Sequence, residues 1–176
     1  MIKQVGIGLV ILVMLALFAI GQRAPKNTAQ DLPELPRFQL EDVASLTIRI
    51  KQQPEIKAKK EGNRWLLIGS ESPSEMNALA VDQLLYDLQT MQAKRVVVRK
   101  TELFQRFAVD ENEVVLQDKQ GHVLLDVFVG KPATDLVSTY IRLADDKRVL
   151  TVNKTLTWQV KRTLDAWLDT KEEPPE

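Results

Sequence analysis

Seventeen consecutive residues, Val5 to Gly21 (VGIGLVILVMLALFAIG), carry no charge and almost no side chain able to hydrogen-bond. At 1.5 Å per helical residue such a run reaches roughly 25 Å, near the lower limit for crossing a hydrocarbon core. In oil an unpaired backbone N–H or C=O costs several kcal/mol, so a segment of this kind enters a membrane only as a helix. Two readings follow. One is a secretory signal, with Lys3 as its basic start and Ala19-Ile20-Gly21 as a small-x-small cleavage site. The other is a retained single-pass anchor, holding the chain in a bacterial inner membrane through residues 5–21. Both send the rest of the chain out of the cytoplasm, so the expected location of the folded part is the periplasm.

The remainder divides by composition. Residues 1–22 are the anchor or signal, and 23–40 a linker in which Pro25, Pro33 and Pro36 remove backbone donors and favour extended conformations. Within it Leu32, Leu35 and Phe38 are either part of the tether or the first irregular turn docked on the domain. Residues 41–168 form one domain of a size able to bury a core, and 169–176 (DTKEEPPE) read as a disordered tail. The 176 residues carry 24 basic and 24 acidic side chains, a balance that argues against a nucleic-acid partner, which selects for basic excess. Cysteine is absent, which removes disulfides, thiol chemistry, thiolate metal sites and a lipoprotein anchor.

Strand signals dominate the domain. Leu46, Ile48 and Ile50 alternate with Thr47, Arg49 and Lys51, the period of a half-buried strand. Strands are also expected at 56–60 and 64–68, and the short connections between them impose an antiparallel meander. Ser72-Pro73-Ser74-Glu75 has the form of a capping box, with entry at Asn77 as the alternative start of the helix. That helix presents Val81, Leu84, Leu85, Leu88 and Met91 as one stripe, with Asp82, Gln83, Asp87 and Gln89 turned away. Strand 93–99 and a helical turn at 101–107 follow. Further strands are expected at 113–117, at 122–129 ended by Gly130-Lys131-Pro132, at 138–143 and at 148–152. A final helix over about 155–168 has Leu156, Val160, Leu164 and Trp167 as its stripe. The expected fold class is α+β: an N-terminal transmembrane helix, then one domain of two similar meander-plus-helix halves, about 41–99 and 100–168.

Several of these segments resemble, in order and spacing, the bacterial domain-of-unknown-function family numbered 4340. They include Trp65-Leu66-Leu67, the 80–88 stretch AVDQLLYDL, Ala93-Lys94-Arg95-Val96-Val97, Val129-Gly130-Lys131, Thr139-Tyr140-Ile141-Arg142-Leu143 and Val149-Leu150-Thr151-Val152. The resemblance spans roughly Val43 to Leu168. It implies a membrane segment joined to an exported domain, and a relation to auxiliary parts of gliding-motility-type ABC transporters, hence transporter subunits as partners. The family tends to have glycine where this chain has Ala108 before Val109, so a positive φ is not expected there. No catalytic residue carries over.

Chemistry is sparse. His122, the one histidine, follows Gly121 at a hairpin, and no serine sits in a nucleophile elbow. Gly130-Lys131 lacks the rest of a phosphate loop, and Asp110-Glu111-Asn112-Glu113 lacks the glycine and distal glutamate of a calcium loop. No catalytic residue, cofactor or metal is therefore expected. Two features point to contact instead. Residues 49–64 hold six basic and two acidic side chains, and residues 94–106 five and one. Lys57, Lys59, Arg95 and Arg99 thus become interface candidates if the strips share a face. Trp158 falls on the polar side of the last helix with Lys161 and Arg162, and Trp158 and Arg162 complete the candidate set. The expected function is a non-catalytic accessory or interaction module of a membrane assembly, an ABC-type transporter in particular. The alternatives are a binding domain for a cell-envelope fragment, which requires a cavity between the halves, and a periplasmic hydrolase.

Overall fold

A computed structural model describes residues 32–69 and 73–169. Nine strands make one sheet: β1 (Ser45–Ile50), β2 (Ile56–Glu61), β3 (Arg64–Ile68), β4 (Ser74–Glu75), β5 (Ala93–Val98), β6 (Asn112–Gln117), β7 (Val123–Pro132), β8 (Thr139–Leu143) and β9 (Val149–Val152). Their spatial order is β4-β3-β2-β1-β6-β7-β8-β9-β5, and every neighbouring pair is antiparallel. Two meanders start side by side at the centre, where β1 meets β6, and run outward to opposite edges. The longest described helix, α1 (Ala78–Thr90), lies between β4 at one edge and β5 at the other in chain order, so the connection crosses the sheet. Short turns follow: α2 (Phe104–Phe107), α3 (Thr157–Val160) and α4 (Leu164–Trp167).

This corrects the expected architecture of a transmembrane helix followed by two meander-plus-helix halves. The domain is a continuous, antiparallel nine-stranded sheet with few short helices. Among the described residues no helix is long and apolar enough to cross a membrane; the 5–21 run lies outside the described residues. Nor does either meander stand alone. The strand that follows α1 pairs with β9 of the second meander. After α4, Leu168 bridges Met76 beside β4 of the first. Backbone bonds from Asn77 N to Trp167 O (2.9 Å) and from Asp169 N to Glu75 O (3.0 Å) flank that bridge. Each meander is thus completed by chain from beyond the other, because an unpaired edge leaves a row of polar groups without partners.

The same demand explains the local departures. Ser74 and Glu75 pair with Leu67 and Leu66 instead of capping a helix; Asn77 is the cap, its side chain accepting from Ala80 N at 3.1 Å. The last helix is broken at Lys161–Thr163, with Thr163 extended at φ −65° and ψ 158°. Trp167 is fully buried while Leu164 stays 46% exposed, so the stripe predicted for one straight helix does not exist. β7 runs on through Gly130 to Pro132. A Cβ at Gly130 would collide with the carbonyl of Phe107 and come within 2.8 Å of Val109 Cγ1, which leaves room for glycine alone. Ala108 adopts φ +56° and ψ 31°, against the expectation from its lack of a glycine. The cap bonds of α2 hold it there, with Ala108 N donating to Gln105 O and Val109 N to Phe104 O.

The main core lies on one face. Leu46, Ile48, Val114, Leu116, Leu125, Val127, Ile141 and Leu150 are fully buried beneath Val81, Leu84 and Leu88 of α1. Each such aliphatic side chain contributes about 1.5–3 kcal/mol relative to exposure. Phe38 is buried with them and Leu35 and Leu40 pack alongside, which is the docked alternative for the end of the proline-rich segment. Asp87, predicted to face water, is 9% exposed. Lys154 Nζ bonds one of its oxygens at 2.9 Å, and Gln159 Nε2 the other at 2.7 Å. On the opposite face a smaller cluster forms under α2, with Val109, Ala133, Tyr140 and Val149 buried against Phe104, Phe107 and Phe128.

Candidate functional site

The loop between β7 and β8 turns on Asp135. Its Oδ1 accepts from the backbone of Val137 (3.2 Å) and Ser138 (2.9 Å), and its Oδ2 from the Ser138 hydroxyl at 2.7 Å. Lys94 Nζ reaches the same carboxylate at 3.2 Å. These bonds, the Ser138 hydroxyl foremost, pull the Asp135 pKa down to about 2, so the loop keeps its charge-assisted bonds at ordinary pH. Within this frame Leu136 is held at φ +60°, a conformation disfavoured for a branched side chain. Leu136 and Val137 remain 76% and 63% exposed.

Opposite the loop stands α3. Pro132, Leu136, Thr139, Thr157, Trp158 and Lys161 line a recess of about 170 Å³ between the two. The hydroxyls of Ser138, Thr139 and Thr157 are engaged within the protein. Thr139 Oγ1 donates to Lys154 O and accepts from Leu156 N, and Thr157 Oγ1 donates to Gly130 O at 2.8 Å. What faces the opening is mostly methyl, ring and proline surface, an apolar hollow in a polar surround. The Trp158 ring, with its residue 56% exposed, forms one wall. The Arg162 guanidinium lies over it at 4.9 Å and over buried Trp167 at 5.3 Å, a stacking that fixes the ring of Trp158 against the fold.

Among the sequence candidates, Trp158 and Arg162 thus come together. The basic strips do not. Lys57 and Lys59 sit on β2, opposite Thr47 and Ser45 of β1, whereas Arg95 is in register with Thr151 on β9. Six strand steps separate β2 from β5, roughly 29 Å at 4.8 Å per step, and the α2 layer stands between. Arg99 follows the end of β5, exposed. Lys57 pairs with Glu55 at 2.8 Å. Sequence reasoning missed Asp135, Leu136 and Val137. Two aliphatic residues placed inside an Asp-x-x-Ser turn were the available signal, since such a turn buries nothing of its own.

Several other ionisable side chains pair within the fold. His122 is an exposed hairpin residue whose Nδ1 lies 2.9 Å from Asp118 Oδ2. Arg49 pairs with Glu113 and with Glu55, each at 2.6 Å. Burial pushes the Asp126 carboxyl up, and Glu113 beside it adds to that shift. Arg142, 9% exposed, lies between the rings of Phe128 (4.1 Å) and Phe104 (4.7 Å). It donates to the carbonyls of Val109, Leu143 and Ala144. Among the described residues no group of three or more metal-ligating side chains occurs. At the centre, where the binding-domain alternative needs a cavity, β1 and β6 form a continuous ladder with Leu46 opposite Leu116 and Ile48 opposite Val114, all fully buried.

No curated protein and no solved structure matches the chain. Residues 68–175, more than half of the chain, match the family described as Domain of unknown function (DUF4340). That span takes in α1, strands β4 to β9, Gly130 and the Trp158 recess, and leaves out most of the first meander; over it the chain belongs to the DUF4340 family.

Proposed function

We propose that this domain acts by contact and not by catalysis, as an accessory interaction module of a membrane assembly outside the cytoplasm. The observation that carries the reading is the Trp158 recess. It is an apolar hollow with an exposed aromatic wall, framed by a loop whose conformation is fixed by its own hydrogen bonds. A surface of this kind loses little entropy on docking, and a half-exposed tryptophan is a common anchor of protein interfaces. The apolar Val5–Gly21 run supports the location, because an uncharged run of this composition after a basic start is the pattern of an export signal. An ABC-type transporter as the assembly rests on family resemblance alone. A cell-envelope ligand is less well supported, because ligand pockets usually enclose about 300–1,000 Å³ and the recess holds about 170 Å³.

The test is site-specific photo-cross-linking in the native host. A photoreactive residue at position 158 should give a discrete adduct with a membrane component, while the same residue at position 59 should give none. Recovery of the uncross-linked chain alone from both positions, or turnover of a substrate by the purified protein, would overturn the proposal.

A further inference from the structure

The contact surface has a chemistry that selects its occupant, an inference that rests on the interaction reading above. Volume comes first. An apolar cavity of about 150 Å³ accommodates benzene, so a recess of about 170 Å³ fits one phenyl or isobutyl group, not a whole ligand.

Charge comes second. Lys161 lines the recess and Arg162 stacks on its Trp158 wall at 4.9 Å, and neither makes an ion pair with a carboxylate among the described residues. Two carboxylates stand against them. Asp135 is already matched by Lys94 at 3.2 Å, and Asp165 lies on the following turn. The surround is therefore net positive around a hydrophobic hollow.

Shape comes third. A bilayer is entered by protruding apolar side chains, whereas this site is concave and carries the ionised Asp135 next to its most exposed aliphatic residue, Leu136.

We infer that the recess seats a single large apolar side chain of an acidic segment of a partner protein, with Lys161 and Arg162 facing that segment's carboxylates. Apolar burial supplies the anchor, and the cations supply orientation and rate. Binding weakens with salt, because the pairs are exposed and screened within about 10 Å at 0.1 M.

The test uses the full chain and fluorescein-labelled synthetic decapeptides followed by polarisation. One peptide is acidic with a central Phe, one acidic with a central Ala, and one basic with a central Phe; phosphatidylglycerol vesicles form a fourth arm. The expected result is saturable binding of the acidic Phe peptide, at least tenfold tighter than either other peptide and weakened at 0.5 M salt. Trp158→Ala should reduce it at least tenfold, and Lys161→Glu should shift preference toward the basic Phe peptide. Both positions are exposed, and unchanged circular dichroism confirms the fold of each variant. Equal binding of the Ala peptide, insensitivity to Trp158→Ala, or binding to vesicles without binding to the peptide overturns the inference. If the peptides fail while position 158 still cross-links a membrane component, the partner chemistry is wrong and the interaction reading stands. If position 158 cross-links nothing, both fall.

Discussion

In β1, β2 and β3 burial alternates residue by residue, whereas every residue of β8 and β9 is buried. All five strands share the α1-side core, so the difference lies on the other face. Across the first meander that face is open, and Lys57, Lys59 and Thr47 meet water or form a broad trough floored in part by Ile68. Across the second it is roofed by α2, which places Phe104 and Phe107 over Phe128 and Tyr140. The Phe107 and Tyr140 rings meet edge to face at 4.9 Å. Water covers the first region at no cost to backbone or side-chain choice. The roofed region must fit, and it carries the tight glycine, the left-handed alanine and the buried arginine of this fold.

That contrast sets the order of expected effects, all read by urea unfolding of the full chain. Gly130→Ala should be most damaging, with a loss of about 3 kcal/mol or more, because the added methyl meets the backbone of Phe107 and cannot be relieved by a rotamer. A loss below about 1 kcal/mol would show that α2 is loosely seated. Phe128→Ala should cost about 2–3 kcal/mol, less than a fully buried phenylalanine, since it removes one wall of the Arg142 sandwich.

Asp126→Asn should act in the opposite direction. The folded carboxyl is raised by burial and by Glu113, so its charged form burdens the folded state. The burden is full above the raised value and fades as pH falls toward the ordinary carboxylate range near 3.9. The variant should therefore gain up to about 1 kcal/mol at pH 7 and nothing near pH 3. A gain that grew on acidification would reverse the assignment.

Ala108→Gly should stabilise by about 0.5 kcal/mol, because relief of left-handed strain exceeds the added freedom of the unfolded chain. Lys59→Ala, on the open side, should stay within about 0.5 kcal/mol of the parent. A larger loss there would mean that something covers that face.

What the sequence determined by itself is local and periodic. The alternation of Leu46, Ile48 and Ile50 placed β1 and its inward face, and the stripe from Val81 to Met91 placed the apolar side of α1. The hairpin at Gly121 was legible because glycine suits a turn that needs a positive φ, here +87°. Trp158 and Arg162 stood out as candidates because a large aromatic side chain among charges does not fit a simple helix stripe. The tertiary structure decided everything that depends on a distant partner. Ser74-Glu75 became a strand because β3 offered its edge, although the local pattern favours a helix cap. Residues 161–163 broke a helix so that Leu168 could reach Met76. Asp87 was drawn in by Lys154 and Gln159, and Leu136 joined the recess only because α3 folds against its loop. Periodicity records which face of an element is apolar. It does not record which other element will satisfy that face or its backbone, because pairing is settled by residues far away in the chain.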